Sequence, residues 1–332
     1  MQNPLEEPAY AENAGTLNVQ QLQEITGTYP PKPIPEDLLK RNQTLRFIIS
    51  ILLFGAFYYF FISKDVEVIT WLAIIVLIHE LGHYFAMKIF NYEDLSIFFI
   101  PLLGAIAGGS KEKISQKEKA IVLLAGPVPG IVIGVALFFV ASHLDNYLML
   151  RLSYAFVLIN VLNLLPIYPL DGGQLLKTLF LGSRQIVTTV FIIASVVLLT
   201  TYAIANSEWF LLIIPCFLIT RMIKERQLHK IRQDLDRQQV DYNKTYGELT
   251  DAEYWQIRDV VVTENSAVAK SIHTEEHIVS ENENEVIGYV KSVLKNKPVK
   301  DLSVTGIVLF LFVWIAAIAV PLLLMTRIWM MI

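Results

Sequence analysis

Charged residues are scarce in this chain, at 17% of its 332 residues, while apolar residues make up 54%. Soluble domains usually carry about 25% charged residues, so the composition argues against an ordinary soluble enzyme. Basic residues are few as well, and the net charge of −4 with a pI near 5.9 provides no basic face for nucleic acid. The single cysteine, Cys216, excludes an intramolecular disulfide.

Long apolar blocks dominate what is present. A membrane-spanning helix needs about 20 mostly apolar residues, and several blocks approach that length. We therefore predict an all-α polytopic protein of the lipid bilayer with about seven transmembrane helices. These helices are expected at residues 45–62, 66–90, 119–142, 147–165, 186–205, 208–222 and 304–326.

The connections between these blocks differ in their content of lysine and arginine. Basic residues precede the first span at Lys40 and Arg41, lie between the second and third spans at Lys111 and Lys113, and follow the sixth span. Because basic loops stay on the cytoplasmic side, we expect a cytoplasmic N-terminus. No basic-then-apolar start with a cleavage site is seen, so the first span is expected to insert the chain.

The chain divides into four predicted segments. Residues 1–44 form a polar cytoplasmic tail, in which the proline-rich stretch Tyr29–Pro35 favours extended, linker-like backbone. Residues 45–222 form a transmembrane core, residues 223–303 a hydrophilic cytoplasmic insertion, and residues 304–332 a C-terminal transmembrane helix.

Two helices are predicted within the insertion. Thr250 and Glu253 have the spacing of a capping box that begins a helix, and apolar residues at helical spacing indicate another over residues 285–296. About eighty residues is near the lower limit for an independent core. A helical linker on the membrane and a small regulatory domain both fit this pattern.

A titratable motif lies inside the second apolar block. His79, Glu80 and His83 form an H-E-x-x-H pattern, which places both imidazoles on one helical face where they can bind one Zn²⁺. Glu80 is placed to take a proton from a zinc-bound water. Such side chains cost about 2.5–3.5 kcal/mol each at mid-membrane, so the motif indicates a metal site rather than polar residues reaching headgroups.

A catalytic zinc needs a third protein ligand and one open position. Between residues 119 and 222 the acidic residues are Asp145, Asp171 and Glu208, and only Asp171 falls on the cytoplasmic side with His79. The topology therefore nominates Asp171. The acids Glu93 and Asp94 are the alternative, in a loop expected to reach water.

The segment before Asp171 has an interrupted helix pattern. Pro166 and Pro169 break the helix, and Gly172 and Gly173 permit backbone angles closed to other residues. Broken backbone at membrane depth is tolerated only where it lines protein or a wet cavity. The segment is therefore expected to line the site.

Together, His79 to His83 and Asn163 to Gly173 resemble the paired H-E-x-x-H and N-x-x-P-x-x-P-L-D-G signatures of the site-2 protease family. The resemblance covers about residues 66–180. It implies that His79, His83 and Asp171 bind zinc, that Glu80 is the catalytic base, and that Asn163 contacts the substrate. It also implies an intramembrane protease of a bacterial inner membrane, with its active site toward the cytoplasm.

Two further segments are similar to the family core. Phe98 to Ala105 is similar to its short membrane-dipping hairpin, and a strand edge that includes Gly104 could pair with an unwound substrate. A buried apolar loop fits the same residues. Ala125 to Pro127 resembles an A-G-P element, after which many relatives place an Asn where this chain has Val128-Pro129-Gly130.

The function expected from these patterns is zinc-dependent hydrolysis of peptide bonds in transmembrane protein substrates. The alternatives are a non-proteolytic membrane module, a transporter that retains a metal site, and a zinc hydrolase acting on lipids or small amides. A second motif, His273 to His277, fits H-x-x-E-H, but its surroundings are polar and acidic. It is interpreted as a solvated segment.

Overall fold

The computed structural model describes residues 29–35, 42–101, 104–111, 113–181, 185–207, 209–264, 283–294 and 299–329. The second motif, residues 273–277, lies outside the described residues. The described residues fall into two compact units, one within residues 38–223 and 297–332 and the other within residues 1–37 and 224–296. We call them the core unit and the insertion unit.

The chain up to residue 205 contains seven helices and two strands in its described part. In chain order they are α1 (Gln43–Phe61), α2 (Val66–Ile89), β1 (Glu93–Ile100), β2 (Gly104–Ser110), α3 (Gln116–Ala125), α4 (Pro127–Leu144), α5 (Tyr147–Asn163), α6 (Asp171–Leu176) and α7 (Gln185–Ala205). A π-helical turn, Lys177–Leu181, follows α6.

The described remainder is helical as well. A short 3₁₀ turn, Trp209–Leu212, precedes four helices: α8 (Ile213–Arg237), α9 (Asp251–Glu264), α10 (Glu283–Val293) and α11 (Val304–Trp329). The predicted helix at residues 285–296 corresponds to α10. The predicted capping box is confirmed at the start of α9, where Glu253 N donates to Thr250 Oγ1 and Thr250 N donates to Glu253 Oε2.

Local side chains determine where the helices of the core unit begin. The Asp65 carboxylate accepts hydrogen bonds from the amides of Glu67 and Val68 and so begins α2. Ser115 and Glu118 form a reciprocal capping box at α3. Pro127 occupies the first position of α4, where its missing N–H costs nothing, so the apolar stretch from Gln116 to Leu144 is divided between two helices.

Four stretches are long and apolar enough to cross a membrane, within the described residues: Gln43–Phe61, Val66–Ile89, Gln116–Leu144 and Val304–Thr326. The stretches Tyr147–Asn163 and Ile192–Ala205 are apolar but shorter. A helix of 17 residues such as α5 rises about 25 Å, less than the roughly 30 Å of a bilayer core. The seven spans expected from the sequence are therefore not confirmed, and block 208–222 in particular becomes a 3₁₀ turn followed by the start of α8.

The two strands form an antiparallel hairpin next to α2. Their register pairs Ile97 with Ala107 and Ile100 with Gly104, so the hairpin is longer than the segment Phe98 to Ala105 that the sequence indicates. Gly104 has a φ of +89°, which glycine adopts without steric cost. The apolar side of the hairpin packs in a cluster with α1 and α2 that contains Phe54, Val76 and Phe99.

Close helix approaches in the core unit depend on glycine. A Cβ at Gly82 would lie 1.9 Å from the Ala125 carbonyl oxygen, and a Cβ at Gly134 would lie 2.8 Å from a Val157 methyl group. Helices α2 and α3, and helices α4 and α5, therefore approach more closely than a larger residue would allow. This contact brings α2, α3 and α5 together around the titratable side chains.

The insertion unit has an apolar core of its own. Its largest fully buried side chains include Tyr254, Trp255 and Ile257 of α9, which pack with Val286 and Val290 of α10. An ion pair between Arg258 and Glu283 is buried beside them. These residues form a packed unit.

Candidate metal centre

His79 and His83 lie on the same face of α2, as their spacing predicts. Both are buried, with 4% and 9% of their surfaces exposed, and their Nε2 atoms are 3.1 Å apart. One helical turn separates them, so the helix itself holds the two imidazoles side by side. Both imidazoles direct their Nε2 atoms to the same position beside α2.

Asp171 reaches this point from the first residue of α6. Its Oδ2 lies 3.0 Å from His79 Nε2 and 3.3 Å from His83 Nε2. The chain between Leu164 and Leu170 leaves the helical path of α5, since Pro166 and Pro169 cannot continue it. The structure therefore brings together the three residues that the sequence proposes as ligands, and Glu93 and Asp94 lie instead on β1.

The two glycines after Asp171 are needed because a larger residue would not fit. A Cβ at Gly172 would lie 1.9 Å from the Leu164 carbonyl oxygen, and one at Gly173 would lie 2.5 Å from that of Ile167. Both are helical residues of α6, and neither has a positive φ. The sequence interpretation, unusual backbone angles, was wrong: these glycines allow α6 to pack directly against the broken segment.

The second nitrogen of each imidazole faces an acceptor. His79 Nδ1 lies 2.8 Å from Asn160 Oδ1, and His83 Nδ1 lies 2.7 Å from the Val122 carbonyl oxygen. The Asn160 amide is oriented by its own Nδ2, which donates to the Phe156 carbonyl. Because both acceptors can only accept, Nδ1 of each ring is the donor, and Nε2 is the nitrogen that faces Asp171.

These donor atoms fit a divalent metal. Two imidazole lone pairs and a carboxylate oxygen converge with separations of 3.0–3.3 Å, and Asp171 Oδ2 has no hydrogen-bond donor. Zn–N and Zn–O bonds of about 2.0–2.1 Å in a tetrahedron place ligand atoms about 3.3 Å apart. Two imidazole nitrogens and one carboxylate oxygen are a ligand set that a catalytic Zn²⁺ uses. Among the described residues, this is the one group of three such side chains that could hold an ion.

Glu80 is buried next to the group, with 6% of its surface exposed. Its Oε2 accepts a 2.6 Å hydrogen bond from the backbone amide of Ala107 in β2. Ala107 pairs with Ile97 across the hairpin, yet its N–H points toward α2. The outer edge of β2 therefore faces the helix that carries Glu80, His79 and His83.

The other two predicted site residues, Asn163 and Gly104, make contacts outside the group of His79, His83 and Asp171. Asn163 is half-buried, and its Nδ2 donates at 3.2 Å to the Ile159 carbonyl of its own helix. Gly104 begins β2, where an added Cβ would be 3.9 Å from a Val76 methyl group of α2. Their roles toward a substrate stay predictions.

Sequence reasoning missed three residues that shape the centre. Asn160 holds His79, and a Cβ at Gly130 would lie 2.1 Å from Asn160 Nδ2. A Cβ at Gly126 would lie 2.3 Å from His83 Nε2. Two signals could have found them: an amide inside an apolar helix, and glycines four residues apart on one helical face. Gly130 belongs to the stretch Val128-Pro129-Gly130, where the sequence departs from the pattern expected of the family.

Comparison with known proteins finds one matching family model and two relatives that are about a third identical to this chain. Residues 67–157 match the family model described as Peptidase family M50. The chain is 32% identical over 127 residues to stage IV sporulation protein FB of Bacillus subtilis, covering 38% of this chain and 43% of that protein. It is 31% identical over 109 residues to a zinc metalloprotease of Methanocaldococcus jannaschii, covering 31% of each.

The chain thus spans less than half the length of these curated relatives. A solved structure, a site-2 protease from Methanocaldococcus jannaschii, is 21% identical with a TM-score of 0.40, covering 52% of this chain and 84% of that one. The family and sequence matches confirm the resemblance to the site-2 protease family, and the family match covers the segment that contains His79, Glu80 and His83. Asp171 lies beyond residue 157, where the family match ends.

Proposed function

We propose that the chain is a zinc-dependent intramembrane endopeptidase that hydrolyses peptide bonds of transmembrane protein substrates. The observation that carries this proposal is the convergence of His79, His83 and Asp171 at 3.0–3.3 Å beside the buried carboxylate of Glu80. In this proposal His79 Nε2, His83 Nε2 and Asp171 Oδ2 hold the zinc ion. When bound, Zn²⁺ supplies a Lewis acid that polarises a carbonyl and lowers the pKa of a water toward about 7.

Glu80 supplies the proton transfers of the reaction. It accepts a proton from the attacking water and later gives this proton to the leaving amine. The hydrogen bond from the Ala107 amide to Glu80 Oε2 restrains the carboxylate on the side of β2. A structural zinc site needs no buried carboxylate of this kind, so Glu80 favours hydrolysis over a non-proteolytic module or a transporter.

The substrate must offer a carbonyl that is not bonded within a helix. Backbone carbonyls of a transmembrane helix are satisfied internally, so the scissile segment has to unwind. The outer edge of β2 next to Glu80 provides backbone groups to which an extended segment can pair. Gly104, at the start of this strand, and Asn163 are the proposed substrate contacts.

The site is proposed to lie toward the cytoplasmic side of a bacterial inner membrane. Lys40, Arg41, Lys111 and Lys113 support a cytoplasmic N-terminus by the positive-inside rule. If the N-terminus is cytoplasmic, α1 crosses outward and α2 returns inward, so His79 and His83 lie toward the cytoplasmic end of α2. A substrate that reaches His79, His83 and Asp171 is therefore a polypeptide segment within the same bilayer.

The test is cleavage of a panel of reporter transmembrane helices by the purified protein in liposomes, with bound zinc measured in parallel. Glu80→Gln should retain zinc and lose about 10²–10⁴-fold in cleavage rate, as expected for a general base. Glu67→Gln, an exposed change in the first turn of the same helix, is the matched control and should cleave at the wild-type rate. Cleavage by Glu80→Gln at the rate of the control would contradict the proposed role.

A further inference from the structure

The segment Tyr29–Pro35 lies against the rest of the insertion unit, although the sequence indicates a linker. Prolines at positions 30, 31, 33 and 35 fix their own φ, and each restricts the preceding residue to extended backbone. Nearly every residue of the segment is therefore confined to the polyproline II region. Such a helix has three residues per turn and no internal hydrogen bonds, so its carbonyl groups are available to other partners.

Two of those carbonyls accept hydrogen bonds from aromatic side chains. Trp255 Nε1 donates to the Pro30 carbonyl oxygen at 2.7 Å, and the Tyr246 hydroxyl donates to that of Pro33 at 2.7 Å. The two prolines are three residues apart, one turn of a polyproline II helix. Burial raises the pKa of the Tyr246 hydroxyl to about 12, so this hydroxyl stays protonated as a donor at neutral pH.

Lys32 adds contacts that select for a lysine in the peptide. Its backbone amide donates to Asp251 Oδ1 at 2.8 Å. Its ammonium donates to the carbonyl oxygens of Tyr246, Gly247 and Leu249 at 3.0, 3.0 and 2.6 Å, and it lies 5.5 Å from the centre of the Tyr246 ring. Three carbonyl acceptors around one ammonium form a built receptor for a lysine side chain.

Exposure along the segment follows the same three-residue period. Pro31 and Ile34 face solvent, and Ile34 is 89% exposed. Tyr29, Pro30, Lys32 and Pro33 are half-buried against the unit. This is how a polyproline II peptide lies on an aromatic groove, with one ridge outward and two ridges on the protein.

The buried hydrophobic core of the insertion unit is formed by residues outside this segment. These core residues lie between Leu228 and Val293, and Tyr29 of the segment packs partly against them. The contacts of Pro30, Lys32 and Pro33 are hydrogen bonds at the surface of that core. The segment therefore lies on the outside of this core and is held there by hydrogen bonds of its carbonyls and of Lys32.

We propose that the insertion unit carries a recognition surface for proline-rich, lysine-containing extended peptides, and that residues 29–35 occupy it as an exchangeable ligand within the same chain. This surface consists of Trp255, Tyr246, Asp251 and the carbonyls of Gly247 and Leu249. Its partner is a peptide with the spacing Pro-x-Lys-Pro. Binding of such a partner displaces residues 29–35.

The first test is binding of a fluorescein-labelled peptide with the sequence of residues 27–37 to the full-length protein in detergent, measured by anisotropy. Lys32→Glu removes the ammonium contacts and places a carboxylate beside Asp251, so the chain's own segment should leave the surface. This variant should bind the peptide roughly tenfold or more tightly than wild type, the scale of charge-assisted hydrogen bonds. Ile34→Ala changes the exposed ridge and should behave as wild type.

The recognition surface is tested by a second substitution added to the Lys32→Glu variant. Lys32→Glu combined with Tyr246→Phe loses the hydroxyl that donates to Pro33, and its affinity for the peptide should fall. A labelled peptide with glutamate at the lysine position should bind neither variant. No binding to Lys32→Glu, while the amides of Asp251–Glu264 keep their protection from hydrogen exchange, would overturn the proposal. Equal binding by wild type and Lys32→Glu would overturn occupation by the segment.

A second measurement needs no variant. Hydrogen exchange of the wild-type protein is followed for the segment and for α9, with and without excess unlabelled peptide. Displacement predicts faster exchange at the amide of Lys32, which is bonded to Asp251, with α9 unchanged. If excess peptide leaves exchange in residues 29–35 unaltered, the segment is a fixed part of the fold and the proposal fails.

Discussion

His79 is held by Asn160: the imidazole Nδ1 donates to the amide Oδ1 at 2.8 Å, deep in the core unit. Asn160 is fully buried, and its orientation is determined by its own hydrogen bond to the Phe156 carbonyl. The bond holds the ring so that Nε2 is directed at Asp171, 3.0 Å from its Oδ2. Partners of this kind orient metal-binding histidines, and their loss typically costs about 10–100-fold in metal affinity.

Asn160→Ala should therefore weaken zinc binding by about 10–100-fold, because His79 loses the acceptor that fixes its tautomer. The measurement is competition for zinc with a chelating dye, using the purified protein. Asn160→Asp keeps an acceptor at the same place and should recover most of the affinity. A structural role alone would not distinguish aspartate from alanine in this way.

The control for that series is Asn206→Ala. Asn206 also donates its amide to a carbonyl four residues earlier, Tyr202 O at 2.9 Å, but it is exposed at the end of α7. This change should leave zinc affinity at the wild-type value. Equal losses for Asn160→Ala and Asn206→Ala would show that the Asn160 effect does not depend on contact with His79.

Gly130→Ala should reproduce the Asn160 phenotype from the opposite helix. The added methyl group would lie 2.1 Å from Asn160 Nδ2, so the amide has to move away from His79. Zinc affinity should fall while the helix content measured by circular dichroism is retained. Gly55→Ala is the matched control, because a Cβ at Gly55 would meet nothing within 4 Å. Replacement of this helical glycine should raise the unfolding free energy of the protein by about 0.4–1 kcal/mol.

The candidate metal-binding triad could be predicted from the sequence because each part has a local signature. His79 and His83 are one helical turn apart, and the Pro-Leu-Asp-Gly segment marks where a helix must break. Asn160 could not be assigned in the same way. A buried amide in an apolar helix shows that a partner exists, but the partner, His79, is 81 residues away and is determined by how α2 packs against α5.

Other features of the fold depended on packing that a one-dimensional pattern does not contain. The apolar block at residues 208–222 is predicted to be one spanning helix, but the structure begins it with a 3₁₀ turn, Trp209–Leu212. The prolines of Tyr29–Pro35 predict extended backbone correctly. They do not reveal that Trp255 and Tyr246, more than 200 residues later, bind it.

Bound zinc should stabilise the folded protein through Asp171. A ligand at about 100 times its Kd adds about 2.7 kcal/mol to the unfolding free energy, so zinc should raise the melting temperature of the chelator-treated protein. Asp171→Asn replaces the carboxylate that faces both imidazoles and should abolish the rise. Asp145→Asn is the control: Asp145 is the left-handed C-cap of α4, so this change keeps the triad and zinc should raise the melting temperature as in wild type. The same zinc-dependent increase in Asp171→Asn would contradict a zinc site at this triad.

The bond between the Ala107 amide and Glu80 should matter for catalysis rather than for metal binding. Ala107→Pro removes the N–H that Glu80 Oε2 accepts, but this N–H points away from β1, so the pairing between the strands is not broken. Loss of a hydrogen bond to a charged group costs about 1.5–3 kcal/mol. Reporter cleavage should therefore fall by about tenfold or more, with bound zinc unchanged.

Ala107→Ser keeps the N–H and should cleave faster than Ala107→Pro. The two variants are compared by single-turnover cleavage of one reporter helix, with zinc content measured on the same samples. If both cleave at the same rate, the amide of β2 does not position Glu80. If Ala107→Pro instead loses zinc, the hairpin supports the ligands rather than the base, because Glu80 follows His79 directly on α2 and a displaced strand would move both.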